Sequence, residues 1–372
     1  MKYYIIAGEA SGDLHASNLI KALQKKDADA EIRFWGGDLM QATGGTLVKH
    51  YRDLAFMGFI EVIANLRTIL NNIKFCKEDI LRFKPDVLIL VDYPGFNMRI
   101  ATFAKQKGIK IHYYISPQIW AWKENRIKKI KRDVDEMYVI LPFEKDFYEK
   151  KHAFPVHFVG HPLLDAIADR KQVNEKKFRE NHNLNDKPII ALLPGSRKQE
   201  IKKMLSVMLK MIDKFRNYQF VIAGAPSQEY EFYKTFIKST SIKFIANKTH
   251  DLLSISYAAL VTSGTATLET ALFKVPEVVC YKGSAISYRI GKWLVDLKYI
   301  SLVNLILDRQ VVTELIQHDF NEKRLAQELT KILDEKHREQ LFLDYFDLEQ
   351  KLGGKGASEK TAELIFNSCF NS

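Results

Sequence analysis

The residues Leu260 to Leu272, Leu-Val-Thr-Ser-Gly-Thr-Ala-Thr-Leu-Glu-Thr-Ala-Leu, have types and spacing that could do chemistry. An apolar run, Ala258 to Val261, empties into the small-residue turn Thr262-Ser263-Gly264-Thr265, and Leu268, Ala271 and Leu272 recur behind it at helical spacing. Such a turn, with Ala266 just behind it, exposes backbone N–H groups at a helix N-terminus, where a phosphate can sit. Glu269, one helical turn on, would repel a phosphate but suits the two hydroxyls of a ribose. The same residues also make an ordinary capped strand-to-helix joint with a solvated glutamate. Two further residues invite chemistry. Asp92 comes directly after the apolar run Val87 to Val91 and precedes the rigid turn Tyr93-Pro94-Gly95. There it could take a proton from an incoming hydroxyl or simply cap the next helix. Arg197, in Pro194-Gly195-Ser196-Arg197, stands where a guanidinium could hold a diphosphate bidentately and ease its departure. A cation at a helix N-terminus opposes the dipole, so a functional reason is the more attractive one.

These residues need strands that end where they begin. Tyr3–Ala7, Glu31–Trp35, Val87–Val91 and Ile111–Ile115 read as strands, with a tight turn Gly8–Asp13 and a helix over 14–23 between the first two. Alternation of strand and helix, with glycines at strand ends, is the doubly wound α/β pattern, in which ligands gather outside the carboxyl ends of the strands. Gly8 and Gly12 do not match the spacing of a dinucleotide fingerprint. A charged stretch, 165–187, separates this half from a second. There Pro188–Leu193, Tyr218–Ala223, Ile242–Ile245, Ala258–Val261 and Glu277–Cys280 read as strands, and Met204, Leu205, Met208 and Met211 face a core. The chain is thus expected to divide into 1–168, 169–340 and a helical tail, 341–372, that returns to the first half or to a partner chain.

A chain of 372 residues, 47% hydrophobic and 27% charged, has the length and composition for two cored domains. No apolar run approaches the roughly 20 residues of a membrane span, and the N-terminus enters a strand with no secretory leader pattern. Cys76, Cys280 and Cys369 are too scattered for a disulfide framework or a zinc site. The formal charge of +11 favours an anionic partner. Lys123, Arg126, Lys128, Lys129, Lys131 and Arg132 alternate with Ile127, Ile130 and Val134 as a basic amphipathic helix. No nucleic-acid motif accompanies it, and a solvated face is the plain reading.

Met57 to Leu70 offers more apolar surface than one seam needs: Ile60, Ile63, Leu66, Ile69 and Leu70 at helical spacing, widened by Phe59 and Val62. It is either a deeply buried helix or a patch that meets acyl chains or a bilayer surface. Trp120 and Trp122 either pack or line a cleft. His161 is a candidate catalytic histidine or a joint residue. The Asp133-Val134-Asp135 pair precedes a strand, which puts its carboxylates at the wrong end of the sheet for a metal site.

Taken in series, several blocks resemble the lipid-A-disaccharide synthases. They are Ala7 to Asp13, Met57-Gly58 with Glu61-Val62, Asp92 with Phe96-Asn97, Tyr114 to Trp122, Leu141 to Glu144, Phe158 to His161, Leu192 to Arg197, and Ser263 to Glu269. The resemblance implies an inverting, metal-independent glycosyltransferase of the GT-B type, two Rossmann-like domains facing across a cleft, with no cofactor. Its donor would be UDP-2,3-diacylglucosamine and its acceptor 2,3-diacylglucosamine 1-phosphate, giving lipid A disaccharide 1-phosphate and UDP. On that reading the N-terminal domain binds the acceptor, with Asp92 as base, Glu9 as a second candidate for proton transfer, and Ser11 on the acceptor side. The C-terminal domain binds the donor through Ser196, Arg197, Ser263, Gly264, Thr265, Ala266 and Glu269, with Tyr281 and Asn304 carried over from family blocks. Met57, Ile60, Val62, Ile63, Leu66, Ile69 and Leu70 become a lipid-docking face. The resemblance further implies a peripheral place on the cytoplasmic side of a Gram-negative inner membrane, no nucleic-acid partner, and a homodimer through the tail. Gly95, Val303 and the pair Lys198-Gln199 depart from the family pattern. Gly95 removes a rival acid beside Asp92. A UDP-sugar epimerase of the same architecture is the alternative enzyme, and a basic amphipathic protein that only binds membranes or nucleic acid the alternative without turnover.

Overall fold

The computed structural model describes residues 1–54, 66–226, 228–237, 242–283 and 298–370. Two compact units emerge, Met1–Asp169 with Leu352–Ser372, and Arg170–Lys351.

The first unit is built on a seven-stranded parallel sheet in the order β3-β2-β1-β4-β5-β6-β7. Its strands are β1 (Lys2–Ala7), β2 (Glu31–Gly36), β3 (Thr46–His50), β4 (Val87–Val91), β5 (Lys110–Tyr114), β6 (Glu136–Val139) and β7 (His157–Phe158). Every residue of β4 is buried, as a continuous apolar run in a sheet covered on both faces must be. The order turns back between β1 and β4, which pair Ala7 with Val91. That switch point sets Gly8–Glu9 and Asp92 side by side at the carboxyl edge.

The second unit repeats the plan with six parallel strands in the order β10-β9-β8-β11-β12-β13. They are β8 (Ile189–Leu193), β9 (Gln219–Gly224), β10 (Lys243–Ala246), β11 (Ser256–Thr262), β12 (Glu277–Tyr281) and β13 (Thr313–Ile316). Its switch point lies between β8 and β11, where Leu193 pairs with Val261. Pro194–Arg197 and Ser263–Ala266 leave the sheet there together.

Several local features differ from the sequence reading. The first helix starts at Ala10 and runs to Lys26, so only Gly8 and Glu9 remain as the turn. Asp133 and Asp135 hold the fold together. Asp133 accepts the Thr102 hydroxyl at 2.6 Å and pairs with Arg132, while Asp135 accepts the Ile111 amide at 2.9 Å and pairs with Lys105. Residues 341–351 are the end of the helix Glu335–Lys351 in the second unit, where Tyr345 and Leu348 are buried. The last helix, Ala357–Phe370, packs on the first helix. Asp165 caps it, accepting the amides of Gly356 at 2.7 Å and Ser358 at 2.9 Å. Gly160, at φ +91°, lets the chain pass the Leu352 carbonyl: a Cβ would stand 3.2 Å from that oxygen.

Candidate active site

In the first unit the chain leaves β4 through two successive left-handed residues, Asp92 at φ 45° and Tyr93 at φ 49°. Side chains rarely tolerate this conformation, and here it is pinned. The Asp92 amide donates to the Tyr114 carbonyl at 3.0 Å. Its own carbonyl accepts from Asn97 Nδ2 and from the Tyr113 hydroxyl, each at 2.7 Å. The helix Pro94–Gln106 has Tyr93 at its N-cap and no side-chain cap. Asp92 therefore does not cap it, and the carboxyl is left for other work. Burial first, then the negative charge of Glu9 and Glu144, push that carboxyl up to about 6 against a hydrogen bond from the Tyr93 backbone. A carboxyl poised there accepts a proton near neutrality far better than an ordinary aspartate.

The surroundings explain the turn. A Cβ on Gly8 would lie 2.3 Å from the Tyr93 ring, so only glycine allows Tyr93 to cover the end of β1. Glu9 is the exposed N-cap of the first helix and makes no capping bond; Ser11, two residues further in, is also exposed. Asp13, singled out by no chemical argument in the sequence, is buried and accepts amides from Gly37, Leu39 and Met40 at 2.7, 3.1 and 3.1 Å. It ties the start of the first helix to the turn after β2. Beyond β5, Ile115 adopts φ 62°, a genuine outlier for a β-branched residue. Left-handed backbone thus clusters at the carboxyl edge beside Asp92. His161 caps the helix Pro162–Ala168 by accepting the Leu163 amide at 3.2 Å. Burial, then the neighbouring His15, push its pKa down to about 3, which fits the joint residue and not a proton carrier.

In the second unit a cavity of about 490 Å³ is lined by Gly195, Ser196, Arg197, Ser263, Gly264, Thr265, Ala266 and Glu269, among others. That size suits a nucleotide-sized ligand. Arg197 is the exposed N-cap of the helix Lys198–Met208, and its guanidinium has no ion pair among the described residues. Gly195 takes φ +100°, and a Cβ there would strike the Glu200 carboxylate, which accepts the Ser196 amide at 3.1 Å. Gly264, at φ +149°, opens the helix Thr265–Leu272. As its first amides, those of Thr265 and Ala266 have no acceptor within the helix. Ser263 differs from the sequence reading: its amide donates to the Cys280 carbonyl at 3.1 Å and its hydroxyl to the Ile300 carbonyl at 2.9 Å. It lines the cavity but shapes the turn; the amides left for an anion are those of Gly264, Thr265 and Ala266.

Glu269 stands one turn into that helix, with Oε2 3.2 Å from His250 Nε2. The sequence gives no sign of this partner, since the pair is 19 residues apart with no motif between them. Two carried-over residues fall outside the cavity. Tyr281 ends β12, with its carbonyl accepting the Gln317 amide at 2.7 Å. Asn304 is fully buried; its amide donates to the Val312 carbonyl and Glu314, each at 2.9 Å, and its oxygen accepts the Val311 and Val312 amides. The Asn304 side chain thus braces the loop at 311–312 and Glu314.

Met57, Ile60, Val62 and Ile63 lie outside the described residues, as does the side chain of Leu66, which opens the helix Leu66–Phe83. Ile69 is half-buried against the core, whereas Leu70 is 53% exposed, together with Phe75 and Leu81. The basic segment is a short helix, Ile127–Asp133, with Ile127 and Ile130 buried and its lysines outward. Among the described residues no helix is long and apolar enough to cross a membrane, and no group of three or more His, Cys, Asp or Glu could hold a metal.

Residues 3–365 match the family model for lipid-A-disaccharide synthetase. The chain is 40% identical over 370 residues to the lipid-A-disaccharide synthase of Syntrophus aciditrophicus, covering 97% of this chain and 96% of the relative. Identity to that of Coxiella burnetii (strain CbuK_Q154) is 37% over 372 residues, covering 99% and 98%. Among solved structures, UDP-GlcNAc 2-epimerase from Neisseria meningitidis, bound to UDP-GlcNAc, superposes with a TM-score of 0.74 at 13% identity, covering 99% of this chain and 100% of that one. That likeness is one of fold, the two Rossmann-like domains of the GT-B type. Match to the family model over nearly the whole length, and identity of this order to its members, mean that the chain belongs to the lipid-A-disaccharide synthase family of glycosyltransferases.

Proposed function

We propose that the chain joins two acylated sugars by a single inverting displacement. The donor is UDP-2,3-diacylglucosamine and the acceptor 2,3-diacylglucosamine 1-phosphate. Asp92 removes the proton of the acceptor 6-hydroxyl as its oxygen attacks the anomeric carbon of the donor. The bond to the diphosphate breaks, and UDP departs with the electron pair. Arg197 and the amides of Gly264, Thr265 and Ala266 hold the charge that develops on the diphosphate, and Glu269 accepts from the ribose. Glu9 and Ser11 belong to the acceptor side. The observation that carries the reading is Asp92 itself, a carboxyl of raised proton affinity at the first sheet's switch point with no ion pair among the described residues.

Substrates with this much acyl surface come from a membrane. Exposed Leu70, Phe75 and Leu81 and the outward lysines of Ile127–Asp133 support peripheral docking on an anionic leaflet, and with it a place on the cytoplasmic face of the inner membrane. The test is release of UDP by the purified chain in mixed detergent micelles. Turnover should require both acylated sugars together. Conversion of UDP-GlcNAc without an acylated acceptor would favour the epimerase reading, and no UDP release with both sugars present would overturn the proposal.

A further inference from the structure

Glu144 is 1% exposed, yet it is an acid. Its Oε1 accepts the Ser116 hydroxyl at 2.6 Å and the Trp120 indole N–H at 3.1 Å; its Oε2 accepts the amides of Ile140 and Leu141 at 3.1 and 2.9 Å. Only the two amide bonds belong to ordinary helix capping, for Glu144 is the third residue of the helix Pro142–Asp146. The other two reach across to the loop that leaves β5 next to Asp92, whose amide bonds to Tyr114 at the end of that strand. The residue before Glu144 in the same helix, Phe143, meets Trp120 edge to face at 4.8 Å and 82°. The Tyr148 hydroxyl donates to the Pro117 carbonyl at 3.2 Å. The loop is therefore gripped at three places, and Trp120 keeps part of its ring exposed.

We propose that Glu144 is a positioning residue for the transfer, its carboxylate locking Ser116 and Trp120 so that the indole forms a fixed wall of the acceptor-sugar subsite beside Asp92. This rests on Asp92 being the base. Four donors bond to Glu144 among the described residues, which favours its ionised form even though burial pushes its pKa up. A charge held there opposes ionisation of Asp92, alongside Glu9. Tyr93, held against Gly8, and the buried Tyr113 hydroxyl, which donates to the Asp92 carbonyl, are the other titratable groups that face it. Glu144 thereby acts twice on one site, through an aromatic wall and through its charge.

The test compares pH profiles and acceptor KM in the full chain for Glu144→Gln, Trp120→Phe and the double variant, with UDP affinity as the check on folding of the other unit. In Glu144→Gln the acid limb of kcat/KM should move down by about half a pH unit or more, and acceptor KM should rise several-fold. Trp120→Phe keeps a ring but loses the N–H, so acceptor KM should rise with the limb unmoved. The KM effects of the two changes should be non-additive. If Glu144→Gln is too unstable to assay, Trp120→Phe alone decides, since an unchanged acceptor KM there refutes the wall. An acid limb unmoved in a folded Glu144→Gln, or additive KM effects, would likewise overturn the proposal. A limb that survives Asp92→Asn would instead refute the base and is a separate failure.

Discussion

The two switch points solve opposite problems with opposite materials. At the first, the working group is a side chain, Asp92, part-buried among other acids and held by strained backbone, an environment that resists charge. At the second, the working groups are backbone amides and one exposed guanidinium around open space, an environment that welcomes negative charge. A base must want its proton, and a cradle for a leaving diphosphate must want electrons. One doubly wound plan supplies both because the turn at the end of each strand, and not the sheet, sets the polarity of the edge.

That contrast breaks first at Asp92. Asp92→Asn should lower turnover by about 10²-fold or more, the range of general-base catalysis, while UDP affinity measured by calorimetry stays close to the parent's. Asparagine tolerates the left-handed backbone, so the loss would report chemistry. In the parent, kcat/KM should fall about tenfold per pH unit below about 6, since a base must be ionised to act. Stability runs the opposite way: a carboxyl whose folded proton affinity is raised costs stability as pH rises from its ordinary value of 3.8 to about 6, and the cost stays constant above that. The asparagine variant should melt no lower than the parent at neutral pH. Near-normal turnover would reject Asp92 as the base. Arg197→Ala tests the other edge. It should cost about 10²–10³ in kcat, the scale of losing one transition-state donor, and should also weaken UDP, which Asp92→Asn does not. Loss of kcat with UDP binding untouched would mean that Arg197 is not on the diphosphate.

Within the second edge the expected effects are smaller. Glu269→Gln should raise donor KM by roughly 10-fold, since bonds to a charged acceptor are worth about 1.5–3 kcal/mol, and leave acceptor KM alone. His250→Gln, which removes only the group 3.2 Å from Glu269 Oε2, should raise donor KM a few-fold. A His250 effect equal to that of Glu269 would show that the histidine touches the nucleotide itself.

Sequence and structure agree where one chain segment carries the whole signal. Val87–Val91 and the adjoining Asp92 are legible because an unbroken apolar run has few alternatives, and the D-x-D pair lies where its side of the strand implies, bonded to Thr102, Arg132, Ile111 and Lys105. Agreement fails where a residue's meaning depends on a distant partner. His250 meets Glu269 across an intervening strand, and Asn304 is an exposed-looking amide until Val311, Val312 and Glu314 take up its side chain. β3 and β13 escape because they are edge strands of few residues, Thr46–His50 half-buried and Thr313–Ile316 carrying Glu314 for the loop at Ile300 and Ser301. Glu144 hides for the same reason as His250, since a helix-start glutamate reads as a cap until its second oxygen is seen.

A buried acid that belongs to neither edge sharpens the contrast, and Glu277 is one. It lies at the amino end of β12, 0% exposed, with neither carboxyl oxygen hydrogen-bonded. Burial raises its pKa well above the ordinary glutamate value. The native state therefore holds a proton that the unfolded chain releases above about 4.5. Stability should then fall by about 1.4 kcal/mol for each pH unit between that value and the folded one. Glu277→Gln removes the titration but keeps the shape. Its advantage over the parent should be small at about pH 4.5 and grow as pH rises, read from denaturant midpoints at matched m-values. Turnover should not change, because raised proton affinity alone does not make a base: Asp92 is partly exposed at the carboxyl edge of its sheet, and Glu277 is wholly buried. A flat difference between parent and variant across pH would mean that Glu277 is ionised and partnered in the native state.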